Sequence, residues 1–316
     1  MTLILSAVTR GFVFHASDRL FTIQRKKGHV EEWDPRANKT IVVVGSDCWL
    51  VLGYTGLAYL DGKPTDQFLA EAISGVSDLD GGMVMGTRNL GLHYAEIIRR
   101  IVEAVSAQYD KLSCAVRKYP LIVAGTGIQM TRPRRRELIF RLGFSEDGYD
   151  GGDGHTERYP SLWRYGCIPA GDVNNEVHEQ MRKRLRSDET HDSPDSFRKI
   201  MVDGVRATAA LSEFVGEDVI SVILDPEERE ISVHFDPIDP SRPITPGKGA
   251  PHEGELKHKL EVYTPYAILP NIIYCPSVAS VGGWRGFDGI RYRFIGPEPV
   301  VGGGFYGTYA RKPQPR

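Results

Sequence analysis

Cysteine is scarce: Cys48, Cys114, Cys167 and Cys275 are the only four in 316 residues, and they stand far apart. That density excludes a small secreted disulfide scaffold, and the lack of paired spacing excludes a structural zinc site, so four reduced thiols are expected. Long apolar runs are missing too. Stretches such as Thr40 to Val44 and Leu121 to Ala124 fall well short of the ~18 to 20 residues that cross a bilayer, and none opens the chain as a signal peptide. A cytoplasmic protein with no membrane partner is expected. There is also no charge excess: 39 Lys and Arg against 41 Asp and Glu leave a net charge of -2. Composition therefore excludes polyelectrolyte binding, and no nucleic-acid partner is expected.

What is present is an ordinary globular balance, 41% hydrophobic and 25% charged. The length exceeds the ~100 to 200 residues of one typical domain, which implies one large core with an appendage or two domains. The first fifty residues alternate short β-type runs with turn signals. They run Thr2 to Val8, Phe12 to Ala16 after Arg10-Gly11, Leu20 to Gln24, Thr40 to Val44 and Trp49 to Tyr54, which predicts an antiparallel meander.

Helical periodicity comes next. Thr65-Asp66 marks a helix start, with Phe68, Leu69, Ala72 and Ile73 on one side. Leu90, Tyr94, Ile97, Ile98, Ile101, Val102 and Val105 then make an apolar stripe opposite Glu96, Arg99, Arg100 and Glu103, predicting a helix lying on a sheet. Strands return at Pro120 to Ile128, Glu137 to Leu142 and around Leu162 to Ile168. A second helix pair is predicted over Asn174 to Arg186 and after Ser193-Pro194, an N-cap followed by proline at the first helical position. Strands over Asp218 to Leu224 and Arg229 to Phe235 close the unit.

Strands, two helices, strands, two helices, strands: this order predicts an α+β fold, a four-layer αββα sandwich of two antiparallel sheets with helices on both outer faces. A doubly wound βαβ fold is disfavoured. More than half of the 20 prolines lie beyond Asp236, and helical periodicity stops there. Residues 1–236 are therefore read as the αββα domain. Residues 237–316 are read as a linker and a Pro/Gly-rich C-terminal extension with a few strands, at Lys259 to Tyr274 and Gly289 to Phe294.

Thr2 is the first candidate for chemistry. A threonine exposed at a mature N-terminus carries its own base, an α-amino group of unperturbed pKa ~8 that can activate the adjacent hydroxyl without a histidine. Thr2 follows Met1 directly, and a small second residue generally permits removal of that methionine.

Sixteen residues after Thr2, the stretch Gly11-Phe12-Val13-Phe14-His15-Ala16-Ser17-Asp18-Arg19 ends a second strand in Ala-Ser-Asp-Arg. With Asn38-Lys39-Thr40-Ile41, Leu52 to Asp61, the Gly-ended strand Leu121 to Gly127 and the segment Arg198 to Leu224, it resembles the proteasome β-subunit family and its bacterial peptidase-subunit relatives over residues 2 to 236. The resemblance implies the N-terminal-nucleophile hydrolase type of sandwich and acyl transfer on a peptide or protein substrate. Thr2 would be the nucleophile, Asp18 the site carboxylate, and a backbone N–H of Thr55 or Gly56 the oxyanion donor. It also implies a homo-oligomeric ring, with any unfoldase or other protein partner unspecified, and neither cofactor nor metal.

Measured by the spacing of Asp34 and Lys39, the family's lysine falls on Pro35, which has neither charge nor N–H. The neighbouring Arg36 could only balance the charge of Asp18, since guanidinium does not release its proton near neutral pH. Lys26 and Lys27 are alternative cations at the end of a strand. The places of the family's Gly-Ser-Gly and Asp-x-x-Ser stretches read Pro169-Ala170-Gly171 and Ser212-Glu213-Phe214-Val215. Two functions are therefore open: an N-terminal-threonine amidohydrolase, or a catalytically inactive structural or binding subunit with the same fold and assembly.

Other polar clusters point to no site. Asp147 to His155 holds three carboxylates and an imidazole but matches no calcium loop, and is expected to be a polar loop. Arg132-Pro133-Arg134-Arg135-Arg136 is expected to be a solvated hairpin tip. His15, His93 and His178 have no metal or triad partner in sequence, and Val301-Gly302-Gly303-Gly304 lacks the flanks of a phosphate loop.

Overall fold

A strand covered on both faces can be apolar at every position, and Thr40–Val44 is buried at all five. In the computed structural model, Ile41 and Val43 face one hydrophobic layer while Val42 and Val44 face another, as the two-residue period of a strand requires. The structure describes residues 2–9, 11–24, 30–34, 37–79, 83–85, 92–131, 134–150, 165–185, 194–236, 259–270, 272–276, 278–282, 289–295 and 298–302.

Two large sheets result. The first runs Tyr165–Gly171, Leu3–Thr9, Val13–Asp18, Val219–Asp225, Glu230–Asp236, Gly289–Ile295, Glu298–Gly302. The second runs Gly148–Asp150, Arg134–Ser145, Leu121–Thr131, Cys48–Thr55, Thr40–Val44, Tyr266–Leu269, Ile272–Tyr274, Met83–Met85. Within both sheets the pairing is antiparallel except where Tyr266–Leu269 lies parallel to Thr40–Val44.

The layers are defined by which side chains meet. Helices Thr65–Ser74 and Tyr94–Tyr109 cover the second sheet, with Leu69, Ile73, Ile97, Ile101 and Val105 packed on Leu50, Leu52, Leu121 and Val123. Helices Asn175–Leu185 and Pro194–Ala209 cover the first, with Met181, Phe197, Met201 and Val205 on Leu3, Leu5, Phe14 and Val219. Between the sheets lie Val8, Val13, Val51, Ile128, Val222, Leu224 and Val233. The protein is a four-layer αββα sandwich.

Local chemistry sets the helix starts. Asn174 Oδ1 accepts from the N–H groups of Glu176 and Val177 at 3.1 Å, a side-chain cap. His93, before Tyr94, makes no cap bond. Asp47 supplies it from a distant turn, accepting from Tyr94 N at 2.9 Å. The predicted strands from Pro120 and Glu137 are longer than expected, forming an 11-residue and a 12-residue pair. Arg135 approaches Glu227 at 3.9 Å; Arg132 and Pro133 lie outside the described residues. Of the polar loop expected at Asp147 to His155, residues 148–150 are an edge strand, and residues 151–155 lie outside the described residues.

One imidazole is sealed between the sheets. His15 is 1% exposed, with Nδ1 at 2.9 Å from Ser6 Oγ and its ring against Gly53, where a Cβ would lie 2.8 Å from the ring carbon Cε1. Nε2 has no partner among the described residues. Burial lowers its pKa from 6.5 to about 3. The native state therefore refuses a proton that the unfolded chain accepts, and this site's contribution is intact above about pH 6.5 and lost as pH falls from there toward 3. Going from pH 7.5 to pH 5 is expected to cost about 2 kcal/mol through His15 alone. Urea midpoints at the two pH values check this, with His15→Gln expected to remove most of the difference.

Candidate active site

Leu3–Thr9 and Val13–Asp18 form a tight hairpin in which Ile4 pairs with Ser17. Thr2 and Asp18, near that pair, therefore meet at one end of the sheet. The Asp18 carboxylate is fully buried and held by the backbone: Oδ1 accepts from Leu3 N at 3.0 Å, and Oδ2 from Leu20 N at 3.0 Å and Gly216 N at 3.1 Å. Three backbone N–H donors thus satisfy the acceptor sites of this buried side chain.

The cation is Lys39. Its ammonium, also fully buried, donates to Thr2 Oγ1 at 2.5 Å, Asp18 Oδ2 at 3.0 Å and Leu20 O at 2.5 Å. An ammonium has three hydrogens, and these three acceptors match them. The phenyl ring of Phe21 lies 5.3 Å from Nζ.

The expected place of the lysine, Pro35, is thereby corrected. The spacing of Asp34 and Lys39 had put the lysine on Pro35, but Phe21–Gln24 and Val30–Asp34 form a hairpin with a register irregularity at Phe21 and Thr22, which alters the path from Asp18 to Lys39. The hairpin closes where Ala37 N donates to Arg19 O at 2.8 Å, and the chain re-enters the site two residues later. Asn38-Lys39-Thr40 was visible in the sequence as a motif, but its spacing gave the lysine no role. Pro35, Arg36, Lys26 and Lys27 lie outside the described residues, and the charge opposite Asp18 comes from Lys39.

Thr55 and Gly56 close the other side. Thr55 Oγ1 accepts from Thr2 N and donates to Thr2 O, both at 3.2 Å, so its hydroxyl contacts Thr2, a role that no local pattern in the sequence signals. Gly56, at the end of the strand, has φ +105°, and a Cβ there would meet Pro120 O at 1.8 Å. Only glycine fits. The stretch around Gly171 wraps Thr2 from the neighbouring strand. Gly171 has φ +99°, leaving 1.6 Å between a Cβ and Thr2 O, and Asp172 N donates to that same oxygen at 2.9 Å. Ser212 Oγ donates to Asp172 Oδ2, and Phe214 N donates to Ser212 Oγ at 3.2 Å. Asp172 and Ser212, from segments 40 residues apart, thus form a polar side-chain pair next to the backbone of Thr2.

Chemically, the arrangement places a hydroxyl, an ammonium and a carboxylate in successive contact inside a buried layer. Oγ1 can transfer its proton, and negative charge developing on it would be met by Lys39. Among the described residues no group of three or more His, Cys, Asp or Glu lies together, and no helix is long and apolar enough to cross a membrane.

No family model and no curated protein matches the chain. It is similar to solved structures titled Anbu. One is Anbu (ancestral beta-subunit) from Yersinia bercovieri, at 13% identity and TM-score 0.42, covering 70% of this chain and 81% of that one. A second is Anbu from Hyphomicrobium sp. strain MC1, at 14% identity and TM-score 0.39, covering 71% and 82%. A third, titled Helical Assembly of the Anbu Complex from Pseudomonas aeruginosa, has 11% identity and TM-score 0.40, covering 71% and 81%. The family expected from the sequence, the proteasome β-subunit with its bacterial peptidase-subunit relatives, is corrected by this result: these neighbours belong to the distinct Anbu family. At such values the likeness assigns no activity, and any function has to rest on the chain's own residues.

Proposed function

We propose that the protein is an N-terminal-threonine amide hydrolase acting on peptide or protein substrates. The carrying observation is the buried succession of Thr2 Oγ1, Lys39 Nζ and Asp18 Oδ2, with contacts of 2.5 and 3.0 Å. Once Met1 is removed, the Thr2 amine takes the proton of its own hydroxyl and Oγ1 attacks the substrate carbonyl. The C–N bond breaks, the amine leaves with the transferred proton, and water then hydrolyses the Thr2 ester. Lys39 meets the charge developing on Oγ1, Asp18 orients Lys39, and the backbone N–H of Thr55 or Gly56 meets the oxyanion. The alternative, an inactive structural or binding subunit, rested on proline in the lysine's place and on the departures at Pro169-Ala170-Gly171 and Ser212 to Val215; Lys39 Nζ at 2.5 Å from Thr2 Oγ1 supports the hydrolase reading over it.

Intact mass of the protein expressed in cells is expected to lack Met1. A threonine-directed electrophile should then add one equivalent, lost in Thr2→Ala. Retention of Met1, or labelling that survives Thr2→Ala, overturns the proposal. Self-assembly into a ring belongs to the same proposal and is checked by sedimentation velocity, where a monomer at micromolar concentration would reject it.

A further inference from the structure

Behind Lys39, on the side of helix Thr65–Ser74, lies a second buried polar group that takes no part in the proposed acyl transfer. Asp66, in the first turn of that helix, is 2% exposed, and its Oδ2 accepts from Asn38 Nδ2 at 2.9 Å. Asn38, 7% exposed, also reaches across Lys39 to the next residue: Nδ2 donates to Thr40 O at 3.1 Å, and Oδ1 accepts from Thr40 N at 3.3 Å. Tyr54 holds the same segment, its hydroxyl donating to Asn38 O at 3.3 Å and its N–H to Lys39 O at 3.3 Å.

A carboxylate is costly to bury, and this one sits where the positive end of a helix offsets part of that cost. Its bond to Asn38 ties the backbone on both sides of Lys39 to a rigid helix rather than to the hairpin that precedes it. A long lysine side chain has four rotatable bonds, so placing Nζ within 3 Å of two site atoms requires its backbone to be held first.

We infer that Asp66, acting through Asn38, is the positioning residue that sets Lys39 against Thr2. The inference rests on the proposed Thr2 chemistry for its consequence, but its geometric content can be read without turnover. The ring of Phe21 lies 5.3 Å from Lys39 Nζ, so the Lys39 side chain should show ring-current-shifted resonances in 13C-lysine-labelled protein, assigned by their loss in Lys39→Arg.

In Asp66→Ala these resonances are expected to move toward solvent-exposed lysine positions, and the rate of electrophile labelling at Thr2 to fall about 100-fold with the electrophile's affinity unchanged. Asp66→Asn, whose Oδ1 can still accept from Asn38, should restore most of both. Asn38→Ala should reproduce Asp66→Ala, and the double variant should be no worse than either single one. An unmoved Lys39 resonance in folded Asp66→Ala overturns the inference, as do additive effects of the two alanine variants. If Asp66→Ala does not fold, Asp66→Asn and Asn38→Ser carry the test by the same two readouts. Moved resonances in a protein whose wild type is never labelled would leave the positioning role standing and reject the hydrolase proposal instead.

Discussion

Lys39→Ala is expected to slow electrophile labelling of Thr2 by roughly 10²- to 10⁴-fold and to destabilise the fold by about 3 to 5 kcal/mol. The two effects share one cause. Lys39 and Asp18 are both fully buried, 3.0 Å apart, and removing one partner leaves the other's charge in a medium where ionisation is expensive. Asp18 keeps its three backbone donors, which limits the loss but does not cancel it. Thr2 Oγ1 loses the only cation the described residues place within hydrogen-bonding distance. Lys39→Met, which keeps the stem volume, should recover part of the stability and none of the labelling. Thermal unfolding and the second-order labelling rate, measured on the same preparations, check both. A Lys39→Met variant labelled at the wild-type rate would remove Lys39 from the mechanism.

Ending the chain at Asp236 is expected to prevent folding into a soluble native state, although the composition changes there and residues 1–236 read as the αββα domain. Tyr266, Ile268, Ile273 and Cys275 are buried in the layer beneath helices Thr65–Ser74 and Tyr94–Tyr109, while Ala267, Leu269, Ile272 and Tyr274 are buried between the sheets. At ~1.5 to 3 kcal/mol for each large apolar side chain, their removal costs on the order of 10 kcal/mol, which rivals a typical whole stability of ~5 to 15 kcal/mol. The hydroxyl of Tyr266 also donates to Leu79 O at 2.6 Å. Truncation would expose Thr40–Val44, apolar on both faces, as an unprotected edge and a template for aggregation. Soluble yield, circular dichroism and size-exclusion profiles of the 1–236 and full-length proteins decide the matter. A truncated protein that melts cooperatively at the wild-type temperature would show the extension to be dispensable.

Much of the fold is legible in the sequence because its signals are local. The stripe from Tyr94 to Val105 has helical spacing, and Pro194 after Ser193 marks a helix start; both become helices with buried Ile97, Ile101, Met201 and Val205. The family resemblance paired Thr2 with Asp18, and the structure brings them together because only one tight hairpin separates them, so their separation along the chain translates directly into geometry. Lys39 could not be paired in this way. Between it and Asp18 lies a hairpin whose length no local pattern reports, and a spacing rule stops short of it, on Pro35. Asp172 and Ser212 were hidden for a related reason. They meet only because Tyr165–Gly171 pairs with the first strand while the chain after helix Pro194–Ala209 returns to the same end of the sheet.

Residue period and turn chemistry, both properties of neighbouring residues, are enough to determine an αββα sandwich of two antiparallel sheets, whereas Asp18 beside Thr2 was suggested only by a resemblance to a known family. Tertiary structure alone decided which cation completes the site, how Asn38 and Asp66 stand behind it, and that strands beyond Asp236 finish the sheet next to Thr40–Val44. Each of these depends on the length and path of intervening chain, and burial selects such contacts only after the layers have closed.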